Sequence, residues 1–316
     1  WQADQITRAL FGWTRQDGNR RYRTAYIQIP RKAGKSTLAA GIALYLLMAD
    51  GEPGAEVYSA AADRDQAAIV FELAKGMADA SNALRTRLQA YKRALVMPST
   101  ASSYKVLSSE AYTKHGLNAH GIVIDEVHAL PDRDLWDVLT TSTGARRQPL
   151  TVAITTAGFD RHSLCYELYD YGCKVRDGII QDASFLPVIF EAGQDDDWKD
   201  PATWHKAHPG LGVSVKEEYF AAECAKAQQL PTYENTFKRL LLNVWTEQDT
   251  RWLPMDAWDA CGDDMPDLTG RACYAGLDLS TTTDITALVL AFPIGGTVHL
   301  LPFFWVPRDG IAKRAK

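Results

Sequence analysis

The chain has 316 residues, enough for one large domain or two ordinary ones with a substantial buried core. Hydrophobic residues make up 46% and charged residues 23%, and no apolar run approaches the roughly 18 residues needed to cross a bilayer, which sets a membrane aside as partner. The formal net charge of -5 excludes a surface coated in nucleic-acid-binding charge, so any nucleic acid must be gripped through local patches.

In chain order, the first such patch is Arg15–Thr24, a basic cluster with a tyrosine that reads as a solvated loop slightly better than as a DNA contact. Arg23–Ile29 reads as a buried strand, followed by a glycine-bearing turn and a helix from Lys35. Ala55–Ala61 is a second strand, and Asp63 stands where an N-cap belongs, ahead of apolar residues at helical spacing. Gly121–Val127 and Leu150–Gly158 are further apolar strands, separated by a helix around Arg133–Thr143. This rhythm predicts an α/β fold, a parallel sheet covered on both faces. From Gly193 acidic and proline-bearing turns lead into two helices, near Val215–Gln229 and Tyr233–Asn243. Thr246–Gly270 has the turn residues of a linker, and three strand-like runs follow from Arg271. The expected division is a core at 1–192, a helical subdomain at 193–247, a linker at 248–271 and an incomplete β-rich domain at 272–316. The five cysteines form no C-x-x-C pair, which argues against a zinc knuckle or disulfide scaffold and fits a reducing cytoplasm.

Chemistry concentrates in three places. "IPRKAGKST", Ile29–Thr37, follows a strand and opens a helix. Backbone N–H groups there face phosphates, Gly34 permits close approach, Lys35 reaches the outer phosphates and Ser36 offers a hydroxyl to Mg²⁺. The pattern G-x-x-x-x-G-K-[ST] has Ile29 in place of its first glycine, with Pro30 as an alternative rigid entry. The second place is the end of an apolar strand at Asp125 and Glu126, where two carboxylates are costly unless they face a cation or a polar cleft. Asp125 is expected to hold the Mg²⁺ of bound ATP and Glu126 to position or activate the attacking water. The third is Thr155-Thr156, hydroxyls able to sense the outermost phosphate, though a threonine pair is equally an ordinary strand preference.

These residues resemble the large terminase subunits of tailed bacteriophages, motors that package DNA into procapsids. The likeness rests on "PRKAGKS" with its early Arg31, on "VIDEVH", on "TTAG", on "WQADQI" at the start and on "ENTFKRLLLNVWTE", and it covers nearly the whole chain. It implies a RecA-like P-loop NTPase core, a helical lid and the beginning of a ribonuclease H-like nuclease. By the same resemblance Gln2 recognises adenine, Arg31 contacts the outermost phosphate, and Lys32, Ala33, Gly34, Lys35, Ser36 and Thr37 cradle the phosphates. Asp278 takes the position of a first nuclease carboxylate for Mg²⁺ or Mn²⁺; one carboxylate does not make a two-metal site, so this chain is expected not to cleave DNA by itself. Asp284 is as much a turn residue as an assistant. The resemblance further implies double-stranded DNA, a portal protein on the procapsid, a small terminase subunit and a homo-oligomeric ring, a pentamer, in the host cytoplasm. A neighbour's arginine would complete the site, with Arg146, Arg147 and Lys114 as candidates. Two other readings stay open: a helicase, since Asp125-Glu126-Val127-His128 spells D-E-x-H, and an assembly scaffold with vestigial hydrolysis. On the packaging reading His128 is a local hydrogen-bonding residue.

Overall fold

The apolar runs assemble into one mostly parallel sheet. In this computed structural model, which describes residues 1–107, 116–246, 258–262, 264–279 and 285–306, the chain divides into two units, Trp1–Leu253 and Pro254–Lys316. In the first unit the strands are β1 (Thr24–Gln28), β2 (Glu56–Ala60), β3 (Gln89–Ala90), β4 (Ala94–Met97), β5 (Ser102–Val106), β6 (Ala119–Asp125), β7 (Leu150–Thr155) and β8 (Phe185–Ile189), in the order β3-β4-β5-β2-β6-β7-β1-β8. From β5 to β8 all pairings are parallel, while β3 and β4 add an antiparallel edge that the periodicity does not announce. Every residue of β6 and β7 is buried, as strands covered on both faces require.

A π-helical turn at Gln2–Thr7 runs into α1 (Arg8–Gly12), and α2 (Lys35–Met48), α3 (Arg64–Ala80) and α4 (Asn82–Arg85) follow. Asp63 does cap α3, its carboxylate accepting from the Gln66 amide at 2.9 Å. α5 (Asp134–Thr141) and α6 (Leu164–Arg176) come next. Ile6, Leu10, Ile42, Leu46 and Phe71 fill one face of the sheet, and Leu135, Leu139, Leu164 and Leu168 the other. α7 (Pro201–Ala207), α8 (Glu217–Gln229) and α9 (Pro231–Leu241) bury a separate small core around Trp204, Phe220 and Phe237.

The strand order decides where chemistry happens. β7 lies between β1 and β6, so the carboxyl ends carrying Gln28, Thr155 and Asp125 stand side by side, where ligands bind in open α/β sheets.

The second unit contains an antiparallel meander of β9 (Tyr274–Asp278), β10 (Thr286–Ile294) and β11 (Thr297–Trp305). Gly295 and Gly296, both at positive φ (59° and 89°), make the two-residue turn between the last two. Part of the expected linker, with Lys114 and Asp284, lies outside the described residues.

Candidate nucleotide site

The turn after β1 explains the missing glycine. Ile29 is fully buried, and its amide donates to the Thr155 carbonyl at 3.1 Å, so the β1–β7 ladder runs one residue further. The chain turns after it: Lys32 and Gly34 take left-handed conformations (φ 66° and 79°). A glycine at position 29 would add freedom the backbone does not use and lose apolar burial. Gly34 needs its freedom twice, for its φ and because an added Cβ would lie 3.2 Å from Gln2 Nε2. Gln2 Nε2 donates to the Ala33 carbonyl at 2.8 Å, which ties the N-terminal turn to the loop.

α2 starts at Lys35 and carries Ser36 in its first turn. Lys35 is 93% buried by the sheet end; Nζ lies 3.5 and 3.4 Å from the carbonyl oxygens of Ile29 and Pro30, and 3.8 Å from Glu126 Oε1. Burial holds this ammonium below the usual lysine range, against the pull of Glu126 and Asp125. Ser36 Oγ donates to Asp125 Oδ2 at 3.1 Å, and Asp125 Oδ1 accepts from the Glu126 amide at 3.0 Å. Burial, with the adjacent Glu126 charge added, pushes the Asp125 carboxyl up to about 6. Glu126 is held at a left-handed φ of 52°, a conformation that costs a non-glycine residue on the order of 1 kcal/mol and that turns its side chain out of the strand's path. Burial alone would raise its carboxyl too, but His128, Lys35 and Arg31 hold it below the ordinary glutamate range. Glu126 therefore remains ionised beside a reluctant Asp125.

His128 connects this pair to β7. Its Nδ1 stands 3.2 Å from Glu126 Oε2 and 3.0 Å from Thr155 Oγ1, and its amide donates to Thr155 Oγ1 at 3.2 Å. Thr156 Oγ1 is 3.4 Å from the same nitrogen. Thr155 and Thr156 are both buried. Arg31 is exposed at the mouth, and Thr37 lines a cleft of about 770 Å³ with Gln2, Phe11, Leu38, Gly41 and Tyr45, within the usual size of small-molecule sites.

Donor chemistry fits a hard cation: a buried carboxylate and a hydroxyl, both oxygen ligands, already within hydrogen-bond reach of each other, with a charge whose burial is incompletely compensated.

Of the residues singled out from sequence, Gln2, Arg31–Thr37, Asp125, Glu126, Thr155 and Thr156 gather around one end of the sheet. Asp278 belongs to the second unit, exposed in β9 opposite Ala287 of β10; among the described residues no group of three or more His, Cys, Asp or Glu is arranged to hold a metal. Arg146 is tied down, donating to the carbonyls of Asn118 (2.9 Å) and Gly54 (2.8 Å) and paired with Glu52 at 3.6 Å, whereas Arg147 is exposed. A guanidinium so engaged is a poor candidate for reaching a neighbour. Sequence reasoning missed Asn243 and Trp245. Asn243 Oδ1 accepts from the Ala157 amide and its Nδ2 donates to the Phe190 carbonyl, each at 2.8 Å; Trp245 packs on Gly158, where a Cβ would meet its ring at 2.9 Å. The partners of the Asn243 side chain are main-chain atoms and those of Trp245, Gln28 Oε1 at 3.2 Å and the rings of Tyr166 and Tyr169, are side chains; all lie far away in sequence, so no local pattern marks either residue.

Comparison with known proteins adds a family to this geometry. Residues 1–174 match the family described as terminase large subunit, ATPase domain, and residues 179–316 the terminase large subunit, endonuclease domain. The large subunit of the terminase of Enterobacteria phage HK97 is 34% identical over 299 residues, covering 92% of this chain and 58% of that protein. The crystal structure of the HK97 bacteriophage large terminase superposes with a TM-score of 0.66 at 32% identity, over 98% of this chain and 63% of that one. A Thermus phage large terminase ATPase domain shares the fold at a TM-score of 0.51 and 15% identity, over 75% of this chain and 97% of that one. The chain spans less than two thirds of the curated relative's length. With a P-loop type α/β unit and matches to both domain families, this chain belongs to the terminase large subunit family.

Proposed function

We propose that this chain is the ATP-hydrolysing part of a DNA-packaging motor, translocating double-stranded DNA into a procapsid through a portal protein. The observation that carries the reading is the convergence of Lys35, Ser36, Asp125 and Glu126 at the carboxyl ends of adjacent strands. In this reading the backbone of Arg31–Thr37 cradles the phosphates, Lys35 swings from the loop carbonyls to the outer phosphates, and Arg31 contacts the outermost one. Gln2, beside the cleft that Thr37 lines, takes the adenine edge. Ser36 and Asp125 hold Mg²⁺, which when bound would neutralise charge on the phosphates. Glu126, ionised and fixed by His128, accepts a hydrogen bond from the attacking water and aims its oxygen in line with the departing phosphoryl group. A carboxylate held below its usual range is a weak base, so orientation is the larger part of its role. Thr155 and Thr156 sense the loss of the outermost phosphate through His128.

The proposed organisation is an ATPase core at 1–192, a lid at 193–247, a linker at 248–271 and nuclease from 272. Asp278 would supply the first metal carboxylate of a two-metal endonuclease that uses Mg²⁺ or Mn²⁺ to cut concatemeric DNA, an activity proposed for the full-length protein only. Motor subunits form a ring, a pentamer by family likeness, working with a small terminase subunit in the host cytoplasm; Arg147 is a candidate for the arginine donated in trans. The experiment is ATP turnover by the wild type beside Lys35→Ala and Glu126→Ala. Loss in both variants is the expected result; equal phosphate release from all three would overturn the reading.

A further inference from the structure

The helical subdomain grips the phosphate loop at the main chain of Arg31. Its amide donates to the Leu240 carbonyl at 2.9 Å, in the last turn of α9, where helix carbonyls have no partner of their own. Its carbonyl lies 3.1 Å from His208 Nε2, just after α7. A carbonyl only accepts, so Nε2 carries the proton and donates. His208 is fully buried, stacked edge-on against Phe220 at 5.4 Å, and Nδ1 has no hydrogen-bond partner. Burial, with the Lys35 charge added, holds the imidazole below the ordinary histidine range and so in its neutral form. A buried donor spent on one loop carbonyl is an expensive arrangement for packing alone, since a phenyl ring would fill the same space.

We propose that His208 is a positioning residue for ATP hydrolysis: it fixes the Arg31 peptide, and thereby the direction of the Arg31 guanidinium and the left-handed turn at Lys32, so that the helical subdomain sets the shape of the phosphate loop. The inference rests on the reading of Arg31 as a phosphate contact, and it assigns the loop's geometry to a residue 177 positions away. Since His208 reaches the loop through the main-chain oxygen of Arg31, its effect is carried both to the Arg31 side chain and to the turn at Lys32.

The test uses the chain with His208→Phe, which keeps the ring and its packing but loses the donor, and His208→Gln, whose amide keeps a donor near Nε2. Two readouts are taken: steady-state ATP kinetics, in wild-type and Arg31→Ala backgrounds, and hydrogen exchange of the amides in Arg31–Ser36. The expectation for H208F is a KM for ATP raised about 5- to 10-fold with kcat lowered less, about the cost of one hydrogen bond of 1–1.5 kcal/mol, and faster exchange in the loop. H208Q should stay within about 2-fold of wild type, and H208F should cost less on top of Arg31→Ala, where the guanidinium is gone and only the turn at Lys32 is left to disturb. Should H208F not fold, H208N, whose amide is one methylene too short, takes its place. Unchanged kinetics and exchange in a folded H208F, an H208Q as impaired as H208F, or an undiminished effect in the Arg31→Ala background would each overturn the proposal. If Lys35→Ala leaves turnover unchanged, the nucleotide reading fails instead, and loop exchange still decides the grip of His208.

Discussion

Glu126 and Asp125 are neighbours in sequence with opposite electrostatic fates, and two predictions follow from that. Glu126→Gln preserves shape and the contact with His128 but removes the charge facing the water; turnover should fall about 10²- to 10⁴-fold while ATP still binds, measured by phosphate release beside equilibrium binding. Loss of both together would mean the substitution had damaged the site. Asp125 is the stability case. Its folded-state pKa, about 6, lies above that of an exposed aspartate, so between the two values the folded protein holds a proton that the unfolded chain has released. Its contribution to stability therefore rises as pH falls from neutrality through about 6 and is lost as pH rises. In chelator, Asp125→Asn should be more stable than wild type at neutral pH by on the order of 1–3 kcal/mol, the gap closing toward about pH 4. A gap in urea unfolding that does not change with pH would contradict the assignment. At this scale the sequence is readable where chemistry interrupts an apolar run: a strand ending in Asp-Glu, a Gly-Lys-Ser opening a helix. Ile29 is the instructive exception. The motif asks for glycine there, but the ladder to Thr155 continues through it.

Between elements, the linkage of α9 to the sheet passes through Asn243. Its side chain satisfies the Ala157 amide and the Phe190 carbonyl, and its own φ of 59° is one asparagine tolerates better than alanine. Asn243→Ala leaves two buried main-chain groups unpaired and should cost about 2–4 kcal/mol in urea unfolding; a cost below about 0.5 kcal/mol, typical of surface substitutions, would show the bonds to be dispensable. Periodicity found β1, β2, β6, β7, α8 and α9, because each carries a clean apolar pattern over enough residues. It passed over β3 to β5, which are short and lie toward a sheet edge, β3 exposed and β4 and β5 partly buried, and α7, whose proline start reads as a turn. Asn243 and His208 were invisible for a different reason: both bind main-chain atoms, which leave no side-chain signature in the partner segment.

For the molecule as a whole, the proposed motor, which would borrow an arginine from its neighbour, should hydrolyse ATP slowly when dilute. Turnover per subunit should rise with protein concentration by about 10-fold or more, given that such arginines contribute about 10³–10⁵ when fully engaged. A flat dilution series with sedimentation showing only monomer would rule out the shared site. The proposed motor requires first that Lys35 and Asp125 serve a single magnesium–triphosphate pocket. Calorimetric ATP binding with and without Mg²⁺ tests it most directly, on the wild type, Lys35→Ala and Asp125→Asn. The account predicts that Lys35→Ala weakens binding at least about 10-fold in both conditions, a change of some 1.4 kcal/mol or more, and that Asp125→Asn removes the Mg²⁺ enhancement the wild type displays. Wild-type affinity and an intact Mg²⁺ response in both variants would contradict it.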